Sequence, residues 1–316
     1  MAHQLDRRHT GTATRATTWR RWLDTRVVPD ALDAAPSDRI DWFRAMPFIA
    51  MHVACIGVAW VGVSATAAWT AAALYVVRMF ALTGFYHRYF AHRTFRTSRA
   101  VQFAFALLGA ASVQRGPLWW AAHHRHHHVH ADTADDPHTP RKGFWRSHVG
   151  WFLTDAGFRT DPRRIGDLLA YPELRWLDRF DTAVPAALAV LLYSVGEALA
   201  RAAPALGTDG PQMVVWGFFV STVVLFHATV TINSLAHRWG SRPYDTGDDS
   251  RNNAWLALLT FGEGWHNNHH FFPGSARQGF RWWEIDLTWY GLRVLQALGL
   301  IRGLKPVPAW VLARRD

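Results

Sequence analysis

The chain has 316 residues, half of them hydrophobic and 18% charged, with a formal net charge of +10, one cysteine, 18 histidines and 18 tryptophans. A single cysteine excludes a disulfide framework and any cysteine-ligated zinc or iron–sulfur site. The apolar share is too high for a disordered chain and too low for one buried wholly in lipid, which leaves a few membrane spans carrying a polar mass whose excess of base faces an anionic surface or ligand.

Residues 1–46 are polar and basic, without the early apolar core of a secretory signal. From 47 to 77 there is no Asp, Glu, Lys or Arg, and the apolar stretch runs on to 86, broken only by Arg78. A helix needs about 20 residues to cross a bilayer, so this stretch predicts two spans, near 47–65 and 68–86, with a turn across 62–67. A second pair is predicted at 182–200 and 211–235, joined through Pro204, Gly207 and Gly210. The runs 101–113 and 254–261 are too short to span and predict buried or interfacial helices. Between 279 and 300, Trp282, Trp283, Trp289 and Tyr290 are mixed with charges, the pattern of an amphipathic segment at a membrane interface. The chain thus divides into a basic segment (1–46), a spanning core (47–275) and an amphipathic tail (276–316). The fold class is an all-α integral membrane protein, with four transmembrane helices in two hairpins and a helical cap.

Two hairpins return the chain to the same side each time. The N-terminus, residues 87–181 and the chain from 237 onward then share one face. That face holds nearly all the bases, among them Arg7, Arg8, Arg20, Arg21, Arg141, Lys142, Arg163 and Arg164, against Arg201 alone on the other. By the positive-inside rule it is cytoplasmic.

The histidines are clustered. His87 and His92 form H-x4-H, His124, His127 and His128 form H-x2-H-H, His237 closes the fourth span, and His266, His269 and His270 form a second H-x2-H-H. Residues three and four apart share a helix face, so each H-x2-H-H offers two or three imidazoles to one place. The topology brings all the clusters to the same face. Nine neutral imidazoles suit two ions with four or five ligands each, and imidazole alone does not choose among Zn, Cu, Fe and Ni. The remaining histidines carry less. His3 and His9 read as solvated, and His52 and His227 as satisfied within helices. His123, His126 and His130 read as outer or surface groups, and His148 as either. Glu263 and His266 form E-x2-H, the ligand pair of soluble di-iron bundles. No second E-x2-H exists, so Glu263 reads as a carboxylate that orients an imidazole.

The boxes HRYFAH (87–92), HRHHH (124–128), NSLAH (233–237) and GEGWHNNHH (262–270) resemble those of the membrane fatty acyl desaturases, Δ9 stearoyl-CoA type. DPHTPRKGFWRSHVGW (136–151) and SRNN (250–253) also look like that family, over roughly 45–275. The resemblance implies a four-span bacterial inner-membrane protein with both termini and a di-iron cap in the cytoplasm. One Fe2+ would take His87, His92, His124, His128 and His269. The other would take His127, His237, His266 and His270, with Asn233 acting through a water. Asp136, His138 and Glu263 would stand behind the ligands.

The implied reaction inserts a cis double bond into a long-chain acyl-CoA, using O2 and two electrons. The chain has no G-x-G-x-x-G turn, so the electrons must come from a separate ferredoxin, rubredoxin or b-type cytochrome with its reductase. The substrate is where the sequence departs. Animal acyl-CoA members carry Arg-Asp before the second box and an Arg-Lys pair after HVGW. Here Ala122 and His123 occupy the first place, and 152–156 hold no base. Arg141, Lys142, Arg146 and Arg159, with Trp151, are the remaining candidates for substrate contact, and the same bases also read as a positive-inside loop. Phe80, Gly84, Phe85 and Trp151 either line an acyl channel or pack the spans. The stretch 116–138 also looks like bacterial members that act on acyl chains within lipids, so a membrane lipid stands second to acyl-CoA. A di-iron hydroxylase and a metal-binding membrane protein are the rival readings. The latter would set polar ligands inside the spans. Nucleic acid is not expected, because the basic charge follows the membrane topology.

Overall fold

A computed structural model describes residues 20–25 and 37–314. His3, His9, Arg7 and Arg8 lie outside the described residues.

Four helices are long and apolar enough to cross a membrane: α2 (Trp42–Val61), α3 (Ala65–Ala91), α7 (Ala183–Ala202) and α8 (Gly210–Ser234). The first pair begins earlier than the hydropathy suggested because Asp41 caps it, its carboxylate accepting from Arg44 N at 3.1 Å. Pro47 falls inside α2 and cannot bond the Phe43 carbonyl one turn back. The Trp22 indole of α1 (Arg20–Leu23) donates to that carbonyl instead, at 2.9 Å. The α2–α3 break is tight. Gly62 takes the left-handed conformation (φ 63°) and Ser64 caps α3, accepting from Ala67 N at 3.1 Å. Arg78, the charge inside the second span, is buried and fully used. It donates to Ser221 Oγ and Thr222 Oγ1 at 2.7 Å and to Ala111 O at 3.1 Å, tying α3 to α8.

The two shorter runs are α4 (Arg99–Ala110) and α9 (Ala254–Leu259). α4 lies against the end of α3 so closely that a Cβ on Gly109 would sit 2.1 Å from the Tyr86 ring. The polar cap adds α5 (Pro117–His130), α6 (Pro172–Arg179) and α10 (His266–Phe271), followed by α11 (Leu287–Ala297). Sheet is minimal among the described residues: β1 (Arg96–Thr97) pairs antiparallel with β2 (Ile301–Arg302), matching Arg96 with Arg302.

The tail after 275 packs into the cap. Arg88, at the end of α3, bonds Ala276 O at 2.8 Å and Asp286 at 3.0 Å. Trp282, Trp283, Tyr290 and Val294 of the same tail stay exposed, while Thr288 and Leu292 are buried. The segment thus has two faces, with Thr288 and Leu292 turned into the protein and an aromatic and aliphatic face left exposed.

Candidate metal centre

α5 carries the central histidines. Pro117 starts the helix, and its N-cap, Gly116, has no side chain to cap it. The acceptor comes from α6, where Asp178 Oδ1 takes Trp119 N at 2.7 Å. Only glycine fits this approach, since a Cβ on Gly116 would lie 2.4 Å from Asp178 Cα. So seated, α5 turns His124 and His128 to one side and His127 to the next.

The H-x4-H pair depends on an unusual helix. In an α-helix, residues five apart point about 140° away from each other. Over Ala81–Ala91 the helix winds in the wider π register, every residue of it buried, and His92 N bonds His87 O at 3.2 Å. The wider turn brings both imidazoles to one face. α10 supplies the last three histidines and is fixed by its two asparagines. Asn267 exchanges bonds with the Tyr244 backbone at 2.8 and 2.9 Å. Asn268 donates to Glu284 Oε2 and Gln278 O at 2.9 Å.

The result is two groups. His87, His92, His124, His128 and His269 bring their ring nitrogens within 4.8 Å of one another, and so do His127, His237, His266 and His270. A third set, His127, Asp136 and His138, adjoins the second. Asn233 lies at the end of α8 on the wall of the cavity described below.

Behind the imidazoles stand four carboxylates. His127 Nδ1 meets Asp136 at 3.0 Å, His237 Nδ1 meets Asp132 at 2.7 Å, His270 Nδ1 meets Asp248 at 2.8 Å, and His87 Nδ1 meets Glu263. Glu263 also accepts from Arg88 and Gln278, each at 3.1 Å. Burial opposes ionisation of these acids. Hydrogen bonds and charge from the facing groups outweigh it: His138 and His127 at Asp136, His237 at Asp132, His270 at Asp248, and His87 and Arg88 at Glu263. All four pKa values therefore fall below the usual carboxylate range. Burial and neighbouring imidazoles push His92, His124, His128, His266 and His269 far below 6.5, and His270 to about 4. Neutral rings with bare nitrogens are what a metal requires.

The donor set itself calls for a cation. A carboxylate only accepts, so His127 and His270 both carry their proton on Nδ1. Their Nε2 atoms then face each other at 3.3 Å with a lone pair on each. His87 Nε2, likewise bare, faces His269 Nε2 at 3.0 Å. No hydrogen bond can form between His127 and His270 in this state, whereas an ion shared by the group would bind both lone pairs.

One of these groups borders a cavity of about 590 Å³, whose wall includes His124, His138, Trp119, Trp120, Trp151 and Phe226. It reaches from Arg21, Arg44 and Arg115 at one end to Met51, Ala54 and Phe219 among the spans. Trp151 is on its wall. Arg141, Lys142 and Arg146 are not. Arg141 pairs with Asp249 at 2.7 Å, Lys142 bonds Ala134 O at 2.7 Å, and Arg146 pairs with Asp38. They belong to two short helical turns, Pro140–Lys142 and Arg146–Gly150, and engage these partners instead. Phe80, Gly84 and Phe85 also miss the cavity and take the packing role: Phe85 stacks on Phe105 with centroids 3.7 Å apart.

Sequence reasoning passed over Asp132, Asp248, Asn267 and Asn268. The signal for the acids was present as short polar runs, ADTADD (131–136) and DTGDD (245–249), following or facing the boxes. His52 and His227 do more than satisfy their helices. His52 Nε2 meets His227 Nε2 at 2.9 Å, and His227 Nδ1 meets His148 Nε2 at 3.0 Å, a three-ring chain across α2 and α8.

A family model described as fatty acid desaturase matches residues 63–299. The sn-1 stearoyl-lipid 9-desaturase of Anabaena variabilis is 42% identical over 221 residues, which cover 70% of this chain and 76% of that protein. The sn-2 palmitoyl-lipid 9-desaturase of Nostoc sp. (strain 36) is 38% identical over 228 residues, 71% of this chain and 75% of that protein. The icosanoyl-CoA 5-desaturase of Limnanthes douglasii is 42% identical over 224 residues, 70% of this chain but 59% of that protein. With four helices fit to cross a membrane, two histidine groups at their ends and a family match across most of its length, this chain belongs to the fatty acid desaturase family.

Proposed function

We propose that this protein is a membrane di-iron desaturase that converts a –CH2–CH2– pair of a long saturated acyl chain into a cis double bond, at the Δ9 position. The supporting observation is the aromatic-lined cavity that borders the first histidine group, with His124 in its wall. One iron would be held by His87, His92, His124, His128 and His269, and the other by His127, His237, His266 and His270, with Asn233 reaching it through a water. When bound, the irons supply the oxidising power that no side chain has. The substrate gives up two hydrogens, a separate donor gives two electrons, two protons are taken up, and O2 leaves as two waters. The chain's own residues hold one carbon pair against the irons in a dry, shaped tunnel. Asp132, Asp136, Asp248 and Glu263 keep each partner imidazole in the tautomer that presents Nε2.

The acyl chain is carried by a membrane lipid in this reading, and two observations support the change from acyl-CoA. The Anabaena and Nostoc relatives are named as lipid 9-desaturases. The bases first suggested for CoA, Arg141, Lys142 and Arg146, are off the cavity. Acyl-CoA stands as the second reading, favoured by the name of the Limnanthes relative. The cap and both termini are cytoplasmic, where an acidic electron donor meets a basic face. Expression in a host lacking its own desaturase, followed by lipid analysis, tests the proposal. A cis-Δ9 monounsaturated chain is expected, and a hydroxylated chain would move the protein to the hydroxylases.

A further inference from the structure

We propose that Arg21, Arg44 and Arg115 form an anion site at the mouth of the cavity and hold the phosphate of the molecule that carries the acyl chain. The inference rests on the desaturase reading and names the chemistry of its substrate.

All three arginines line the same end of the cavity, beside Trp22, Thr25 and Asp181, where α1, α2 and the start of α7 meet. Arg44 and Arg115 stand over one aromatic ring, each guanidinium 5.2 Å from the Phe158 centroid. Two like charges are therefore gathered on a single ring in a largely apolar enclosure, an arrangement that costs free energy unless negative charge meets it. The carboxylates present fall short. Arg21 engages Asp41 at 2.5 Å and Arg115 engages Asp181 at 2.5 Å. Arg44, with a side chain only 7% exposed, has among the described residues Asp41 as its one ion-pair partner, at 3.9 Å and already taken by Arg21. Among the described residues its guanidinium makes no hydrogen bond, so its planar donors face the cavity.

A phosphate matches this set. It brings the missing charge and accepts from more than one guanidinium, the geometry arginine serves better than lysine. The position also fits the reaction. A headgroup held at the mouth sends its chain inward past Trp119 and His124 toward the spans, so the distance from phosphate to irons selects the carbons that react. A lipid headgroup and CoA share this chemistry.

The test uses the metal-loaded full chain in a neutral maltoside detergent. Titration calorimetry with dodecyl phosphate should give one saturable site. Arg44→Gln should weaken it about tenfold or more, Arg44→Lys should recover part of the loss, and Arg163→Gln, an exposed arginine outside the cavity, should leave it unchanged. Turnover is then compared on stearoyl phosphatidylglycerol, stearoyl-CoA and a phosphate-free stearoyl galactolipid. Arg44→Gln should raise KM about tenfold for the phosphate carriers that the wild type accepts and leave KM for the galactolipid unchanged. The phosphate carrier that the wild type prefers identifies the source. An equal KM increase on all three carriers, wild-type turnover of the galactolipid alone, or dodecyl phosphate binding indifferent to Arg44 overturns the anion site while leaving the desaturase intact. Arg44-dependent phosphate binding with no desaturation of any carrier upholds the anion site and removes the desaturase reading.

Discussion

Asp132→Asn separates charge from shape at the second histidine group. Asp132 sits at φ 59°, a conformation that Asn tolerates well. Its Oδ2 accepts from His237 Nδ1 at 2.7 Å and from Asp249 N at 2.8 Å, both of which the Asn oxygen can keep. The third contact, Thr139 Oγ1 to Oδ1 at 3.3 Å, survives with the hydroxyl as acceptor. What is lost is the negative charge behind His237, in a pair whose side chains are both 0% exposed. Removing such a carboxylate from behind a ligating histidine costs about 10–100-fold in metal affinity, or about 1.4–2.7 kcal/mol. The assay is iron retained by purified protein against rising chelator, read beside turnover. One of two irons should leave at a chelator level about 10–100-fold lower than in the wild type. The iron that His87, His92, His124, His128 and His269 would hold should leave as before. Asp135→Asn, at an exposed side chain three residues on, should behave as wild type. Unchanged retention of both irons, or equal loss of both, would refute the assignment of Asp132 to the second group.

Purified protein should contain about two irons per chain. His124→Ala and His270→Ala should each lower iron content and abolish turnover, and a single zinc found in place of iron would end the di-iron reading. Asp178 should make stability pH-dependent. Burial, only partly offset by Trp119 N and Arg115, raises its carboxyl from 3.8 to about 6, so its stabilising contribution is complete below about pH 4 and disappears as pH rises through 6. At neutral pH the ionised group costs at most about 3 kcal/mol, so Asp178→Asn should raise Tm at pH 7 relative to the wild type and lose that advantage by pH 4. Identical pH profiles for the two proteins would contradict this. Val223 lies on the cavity wall about 15 Å along α8 from Asn233, so Val223→Trp should shift product analysis toward shorter chains without changing iron content. A reporter inserted at Gly207, between α7 and α8, should lie across the membrane from one at the C-terminus, and a shared side would break the two-hairpin topology.

The sequence by itself determined the four spans, because uncharged runs of about 20 residues have few uses besides a bilayer. It also marked the nine histidines and paired those within α5 and α10, because H-x2-H-H spacing acts through local helix geometry. Where contacts come from far along the chain, the pattern was silent. His87 and His92 meet through the wide register of Ala81–Ala91, which is buried at every residue and which no residue spacing announces. Asp132 and Asp248 reach His237 and His270 across 105 and 22 residues, so their role follows from how the loops close. The same holds at the cavity. Basic residues after the second box were natural candidates for substrate contact because they are near in sequence, yet they pair with Asp249, Ala134 and Asp38. Only the tertiary fold brings α1 onto α2, through the carbonyl that Pro47 leaves free, and so sets Arg21 and Arg44 beside Arg115. Local periodicity encodes which faces are apolar and which helices carry ligands. Long-range packing alone decides which charges share a pocket.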